Sequence, residues 1–360
     1  MLRPHLSVCF GLCAALIACA AQPALASDPH PTAQAALQAA LESPTLAGLK
    51  TLKSKQGVWA GARGLERLPA GGWLAQVKVR VGTRTLRVPM KLKRAPIKGC
   101  EHKGWEVTWA PSAAYVGALV NLTTNDLVPS LAHPSSTVWS TALRMPTLPV
   151  VLTRTSVVTP WRTVALGQTP GAKMSLIKEV VVDAKRWTRE ILEDDQAPAS
   201  LDVVADARVT WLGMQRVLLS AATVGFYKFY LVGHTKGILQ SVEVNAAVFK
   251  PNPKRPPLFV AYTPSKPDET FRLMYMGQPM LPPESCAAAC FATPDQFGAS
   301  LAHVAKVLNQ HDGQRALKTL TKAVFATTAD TTLGTLMPWV ARMPESLGIQ
   351  PSSLTVGLIQ

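Results

Sequence analysis

One order of elements occurs twice in the C-terminal two-thirds of the chain, and it restricts the fold more than any other feature. From Val150, "VVLTRTSVV" and "RTVAL" read as a strand pair around Pro160. "KMSLIKEVVVDAKRWTREIL" follows as an amphipathic helix, with Leu176, Ile177, Val180, Val181, Ala184, Trp187 and Ile191 on one face and charges opposite. "ASLDVVA" reads as a strand, "TWLGMQRVLLSAAT" as a helix and "GFYKFYLVG" as a strand, and "ILQSVEVNAAVF" extends the sheet. After the proline-rich "KPNPKRPP" the order returns. "LFVAYT" and "TFRLMYMG" are strands, and Thr293-Pro294-Asp295-Gln296 starts a helix carrying Phe297, Leu301, Val304, Ala305 and Leu308. "TLTKAVFA", "TLGTLMPWVARMPES" and "SLTVGLI" complete it as strand, helix and strand. Without gaps, Val203–Gly213 lies over Val324–Gly334 with five of eleven pairs identical, which together with the shared order indicates a duplication.

The region before the repeat is different. Ala33–Ser43 is helical by composition, with Thr32 as N-cap, and Ser43-Pro44 reads as the start of a second short helix. "WLAQVKVRVGTRTLRVPMKLKR" alternates on both sides of a turn. Val77, Val79, Val81, Leu86, Val88, Met90 and Leu92 take one face, and Lys78, Arg80, Arg87, Lys91 and Lys93 the other. Pro89 argues for an edge position. "GWEVTWAP" adds a strand and "PSAAYVGALVNL" a helix. The expected plan is an α+β N-terminal domain over 28–140 and two α/β modules over 148–250 and 258–360, joined by a linker at 251–257. Each module is a small mixed sheet with two helices.

Of the 360 residues, 48% are apolar and 16% charged, enough to bury several cores. The formal charge of +15 favours anionic partners. Residues 1–26 read as a secretory signal, with Arg3 before an apolar run and Ala24-Leu25-Ala26 before Ser27. Leu16-Ile17-Ala18-Cys19 also resembles a bacterial lipobox, in which Cys19 would be acylated, so simple cleavage and lipid tethering both stand. A periplasmic or exported location, with an outer-membrane lipoprotein as one form of it, argues against nucleic acid as the anion. Cys100, Cys286 and Cys290 remain after processing. A local Cys286–Cys290 disulfide is the first reading of the "PPESCAAACFATPD" loop, with Cys100 paired to either as the second. The spacing is loose for zinc, so no metal is expected.

Asp206 follows the apolar strand "LDVVA" and precedes Trp211 and a helix. It reads either as a strand-end contact residue, with Trp211 beside it, or as a turn carboxylate accepting backbone N–H groups. The arrangement of Val203, Val204, Asp206, Trp211 and the strand led by Gly225 resembles the periplasmic domain of the ExbD/TolR family of biopolymer transport proteins. The likeness covers roughly residues 150–235 and, more faintly, 258–360. It implies the small mixed-sheet fold and a role at the wall or beside an envelope transport complex. In the second copy Thr327 and Thr332 stand at the Asp206 and Trp211 positions of the ungapped alignment, and Pro338 is expected to kink or delay the second helix. Residues 1–27 contain no carboxylate, so the resemblance does not extend to proton-driven coupling.

Ser175-Leu-Ile-Lys178 matches a penicillin-binding tetrad, but Lys-Thr-Gly and Ser-Asp-Asn are missing. No nucleophile elbow, P-loop, zincin motif or dinucleotide fingerprint occurs. These observations lead to an expectation of a non-enzymatic binding or scaffold protein without a cofactor, contacting an envelope complex, peptidoglycan or anionic lipid. Lys78, Arg80, Arg87, Lys91 and Lys93 are its candidate binding face. The alternative is an exported wall-acting hydrolase with an interdomain cleft.

Overall fold

A computed structural model describes residues 29–42, 58–59, 65–68, 71–81, 84–98, 101–131, 147–167, 175–194, 199–236, 238–244, 258–264, 269–275, 278–279, 293–311, 323–350 and 353–358. Helices and three mixed or antiparallel sheets form an α+β fold.

The N-terminal unit begins with α1 (Ala33–Glu42), capped as expected by Thr32, whose Oγ1 accepts the Ala35 N–H at 3.1 Å. Strands β1 (Val58–Trp59), β2 (Leu65–Arg67), β3 (Trp73–Val81), β4 (Arg84–Pro96) and β5 (Lys103–Trp109) follow in an antiparallel sheet of order β1-β3-β4-β5, with β2 also on β3. The hairpin register places Val77 opposite Val88, and Ala75, Val77, Leu86, Val88, Met90 and Leu92 are all buried on one face. Pro89 lies where β5 does not reach, since β5 pairs with β4 only from Lys91 onward, so it occupies a local edge. Helix α2 (Ala113–Thr124) starts at Ser112, whose Oγ accepts the Tyr115 N–H. It is apolar on most sides because it packs between this sheet and the next one, burying Tyr115, Val116, Leu119 and Leu122.

The first module comprises β6 (Thr147–Leu152), β7 (Ser156–Val158), β8 (Thr163–Ala165), α3 (Lys178–Arg186) with a π-helical turn at Trp187–Leu192, β9 (Ala199–Ala205), α4 (Trp211–Ala222), β10 (Phe226–Thr235) and β11 (Ile238–Val244). The sheet order is β11-β10-β9-β6-β7-β8, with β6, β9 and β10 mutually parallel. "VVLTRTSVV" is two strands rather than one. Thr153 breaks it, its Oγ1 accepting the Ser156 N–H at 3.0 Å in a tight turn. The helical face also differs from the expectation. Leu176 precedes the helix and is 47% exposed, while the wider π turn rotates Thr188 and Leu192 inward beside Trp187 and Ile191.

The second module comprises β12 (Leu258–Pro264), β13 (Glu269–Tyr275), β14 (Gln278–Pro279), α5 (Pro294–His311), β15 (Ala323–Thr327), α6 (Leu333–Leu347) and β16 (Leu354–Leu358). Its order is β14-β13-β12-β15-β16, with β12, β15 and β16 parallel and β13 and β14 antiparallel. Strand for strand this is β8-β7-β6-β9-β10 again, with matching directions. Strand β11 is the addition in the first copy. Helix α6 runs from Leu333 to Leu347 with Pro338 and Pro344 inside it, so Pro338 does not delay it. Thr293 caps α5 as the sequence indicated, accepting the Gln296 N–H.

Candidate functional site

In sheets with parallel strands, chemistry and ligand binding concentrate beyond the carboxyl ends of the strands. Here those ends carry the β9–α4 loop of the first module and the β15–α6 loop of the second. The two loops lie against each other.

Their contact is made by backbone hydrogen bonds. The Trp211 N–H donates to the Thr331 carbonyl at 2.7 Å, and the Leu333 N–H to the Val209 carbonyl at 2.8 Å. The Leu212 N–H donates to the Ala329 carbonyl at 3.1 Å, and the Gly334 N–H to the Ala207 carbonyl at 2.7 Å. Thr210 and Thr332 sit opposite each other as an antiparallel bridge between the two pairs of bonds. The four bonds form two mated pairs, under which residue 211 corresponds to 333, 209 to 331, 212 to 334 and 207 to 329. The junction therefore has the symmetry of a twofold axis passing between Thr210 and Thr332. Both threonines cap their helices, Oγ1 accepting the Gly213 N–H in one and the Thr335 N–H in the other. A helix start leaves its first N–H groups without intrahelical partners. Here each module supplies carbonyls for the first two donors of the other's helix.

This pairing corrects the alignment read from sequence. The caps are Thr210 and Thr332, not Thr210 and Thr331. The turn bonds agree, Val209 N–H to Asp206 carbonyl and Thr331 N–H to Thr328 carbonyl. Thr328 thus occupies the Asp206 position and Leu333 the Trp211 position. The core sides agree as well: Val203 and Phe325 both pack toward the helices, whereas Val324 does not join that cluster. A one-residue slip reverses every side chain of a strand, so the five identities were a coincidence of local composition.

Asp206 is the turn carboxylate of the second reading. Its Oδ1 accepts the Arg208 N–H and Nε, both at 2.9 Å, and Oδ2 accepts Arg208 Nη2 at 2.6 Å. Its own N–H donates to the Leu152 carbonyl, closing the turn onto β6. Burial alone would raise its carboxyl. The Arg208 hydrogen bonds and charge, with Arg154 adding to them, outweigh that and hold it below the ordinary carboxylate range. Trp211, the other candidate contact residue, is fully buried in the first turn of α4 and offers no surface. At the equivalent place the second module uses hydroxyls: Thr331 Oγ1 lies 2.7 Å from Thr327 Oγ1 and 2.8 Å from Thr328 Oγ1.

The expected basic face is divided. Lys91 is 7% exposed, donating its Nζ to the Glu190 carbonyl and pairing with the Glu193 carboxylate at the end of the π turn. It holds the N-terminal sheet to the first module and does not belong to an open face. Alternation showed that Lys91 shares a face with Lys93 but not that the π turn after α3 covers part of it. Arg87 is half-buried; burial pulls its pKa down, against the pull of Asp202. Lys78 and Lys93 are exposed, Lys93 lying 3.5 Å from Glu106. The Arg80 side chain, like Cys19, Cys100, Cys286 and Cys290, lies outside the described residues. Lys93, Arg94, Lys98 and Lys103 are all exposed at the β4–β5 end, with Glu101 exposed there and Glu106 paired across the ladder with Lys93. Arg94 stacks 4.0 Å above the Trp105 ring and donates to the Lys103 carbonyl, which stiffens this end. Sequence reading had singled out only Lys93 of this group, because the other three do not alternate with it along one strand face.

Two buried acids were not singled out in the sequence. Asp183, fully buried on α3, accepts Arg162 Nη2 at 2.7 Å and Thr159 Oγ1 at 2.6 Å. Burial pushes its carboxyl up, against Thr159, Arg162 and Arg186. It fastens the β7–β8 turn, whose Trp161 packs with Trp109 of β5 and Trp187 of the π turn. Asp202 on β9 accepts Thr147 Oγ1 at 3.1 Å on the sheet face toward the N-terminal unit. Burial, with the Asp202 charge adding to it, pushes the Tyr115 hydroxyl upward. Both acids sit inside packed contacts. No cluster of three or more His, Cys, Asp or Glu suited to a metal occurs among the described residues, and no described helix is long and apolar enough to cross a membrane. Comparison with family models, curated proteins and solved structures finds no match.

Proposed function

We propose that this chain is a non-catalytic binding or scaffold protein of the cell envelope. One observation carries the reading. The carboxyl ends of β9 and β15, where a parallel-stranded sheet would place a catalytic site, are closed by loop-to-loop hydrogen bonds. The buried acids, Asp183 and Asp202, are likewise held in structural contacts. Among the described residues, these contacts direct attention to the surface. The β4–β5 end, with Lys93, Arg94, Lys98 and Lys103 exposed, suits an anionic wall polymer such as peptidoglycan. The secretory character of residues 1–26 and the +15 charge support that assignment. The likeness of each module to the ExbD/TolR periplasmic domain supports a place beside an envelope transport complex built from other chains.

The test is co-sedimentation of the mature chain with purified peptidoglycan and, separately, with vesicles containing anionic lipid. Wild type is compared with Lys93→Glu/Lys98→Glu/Lys103→Glu. The expected result is binding to peptidoglycan that weakens with salt and falls by about tenfold in the triple variant, a loss of order 1.4 kcal/mol. Equal binding by both proteins removes this surface from the account. Release of soluble wall fragments overturns the non-catalytic reading, and binding to vesicles alone transfers the surface to lipid.

A further inference from the structure

The junction has a property that neither module shows by itself. Every hydrogen bond across it joins backbone to backbone, and each is matched by a symmetry mate. A contact that is its own mate under a twofold rotation is self-complementary: the surface that binds is the surface that is bound. Side chains have diverged at three paired positions, Val209 against Thr331, Trp211 against Leu333 and Leu212 against Gly334, while Ala207/Ala329 and Thr210/Thr332 are alike. The bonds persist because none of them uses a side chain. We infer that the β9–α4 loop is a docking surface for a second copy of its own module, and that in this chain the second copy is covalently attached.

The first module has what a pair of identical copies would require. It carries both donors, the N–H groups of Trp211 and Leu212, and both acceptors, the carbonyls of Ala207 and Val209. The one steric question is the residue facing the alanine. In the chain Gly334 approaches Ala207 closely, and a Cβ there would lie 3.1 Å from the Ala207 Cβ and 3.2 Å from its carbonyl oxygen. Across the axis, however, Leu212 already donates to Ala329, the alanine equivalent to Ala207. A leucine over an alanine is therefore a combination the junction already contains. In the intact chain the tethered module blocks such pairing with another chain. A partner held by a short linker acts at an effective concentration of roughly millimolar, well above any free second chain.

Gly334 is the place to part the two loops, which hold the modules together along with a β11–β16 contact. Because Leu212 already stands over Ala329, the wedge has to exceed a leucine: Gly334→Trp adds a bicyclic ring where a Cβ alone would lie 3.1 Å from the Ala207 Cβ, and Gly334→Glu adds a charge that closed loops would desolvate but that suits the first turn of α6 by itself. Both are made in the full chain together with Thr210→Cys, and each wedge is also combined with Thr210→Cys/Thr332→Cys to report whether the junction has opened. The expected result is a concentration-dependent dimer on sizing, carrying a disulfide between the two chains at position 210. The unwedged Thr210→Cys chain stays monomeric. A folded wedge variant that remains monomeric without the 210–210 bridge overturns the inference. A Gly334→Trp chain in which the 210–332 bridge still forms as in the unwedged chain does so too, because the close Gly334–Ala207 approach on which the pairing geometry rests would then be absent. Loss of folding in both variants, read by near-ultraviolet circular dichroism, also counts against it, since self-docking requires each module to keep its own core when parted.

Discussion

The two modules share strand order, strand direction and helix placement, yet they close the same turn differently. The first holds its β9–α4 turn with a buried carboxylate, Asp206, gripped by Arg208. The second holds its β15–α6 turn with the hydroxyls of Thr327, Thr328 and Thr331. Their outer sheet faces differ as well. One row in the first copy is Val151, Val204 and Val232, packed against the N-terminal unit; the matching row in the second is Ala261, Ala326 and Gly357. The backbone path is common, and the side chains follow what each module packs against. The comparison teaches that the junction bonds, made by backbone alone, could persist while both modules diverged around them.

The largest effects should come from the aromatic clusters, and they ask whether the modules melt together. Trp187→Ala empties the Trp109–Trp161–Trp187 contact between the N-terminal unit and the first module, and Trp339→Ala opens the cluster with Tyr262, Phe271 and Phe297 in the second. Each should cost about 3–5 kcal/mol. Urea unfolding followed by circular dichroism should show one shifted transition in either variant if the junction couples the modules. Two separated transitions would break the comparison into independent halves.

The hydroxyl lock comes next. Thr331→Val leaves the buried Thr327 hydroxyl without that partner and should cost about 1–3 kcal/mol by thermal unfolding. That cost should not change between pH 3 and pH 8, because nothing in the lock titrates there.

The ionic lock should be the smaller and the pH-dependent one. Asp206→Asn weakens a turn held partly by an exposed arginine and should cost about 1 kcal/mol at neutral pH. The Asp206 carboxyl titrates below its unfolded value, so its contribution is complete above the ordinary carboxylate range and is lost as pH falls through the lower folded value. Wild type and variant should therefore converge in strong acid. Asp183 runs the other way, since burial raises its carboxyl and stability attached to its protonated form is lost as pH rises through that raised value. Urea midpoints between pH 2 and pH 7 check both signs. Convergence of the Thr331→Val chain in acid would contradict the distinction between the locks.

Much of this architecture was legible in the sequence, for identifiable reasons. Alternation around the hairpin turn located β3 and β4 and named their buried face. Thr32 and Thr293 announced two helix starts because a cap requires an oxygen beside an N–H. The doubled element order foretold the doubled topology. What stayed hidden was what covers each face. Lys91 alternates like a surface lysine, and only the arrival of Glu193 from about a hundred positions away buries it. Asp183 sits among charges in a helix that reads as amphipathic, and its partners come from a preceding turn. The slip between Thr331 and Thr332 misled because two adjacent threonines make either register look identical. The junction left no trace in residue type, since carbonyls and N–H groups are present at every position.

The docking of one module on the other is most directly tested by Thr210→Cys/Thr332→Cys in the full chain. The flanking bonds make this an antiparallel pair of the closer kind, with Cα atoms about 4.5 Å apart, within the range that a disulfide spans. Mild oxidation followed by peptide mapping on a mass spectrometer should find the 210–332 linkage within single chains, at every protein concentration. A folded chain in which both thiols stay free, or in which the linkage forms only between chains as concentration rises, would contradict the account.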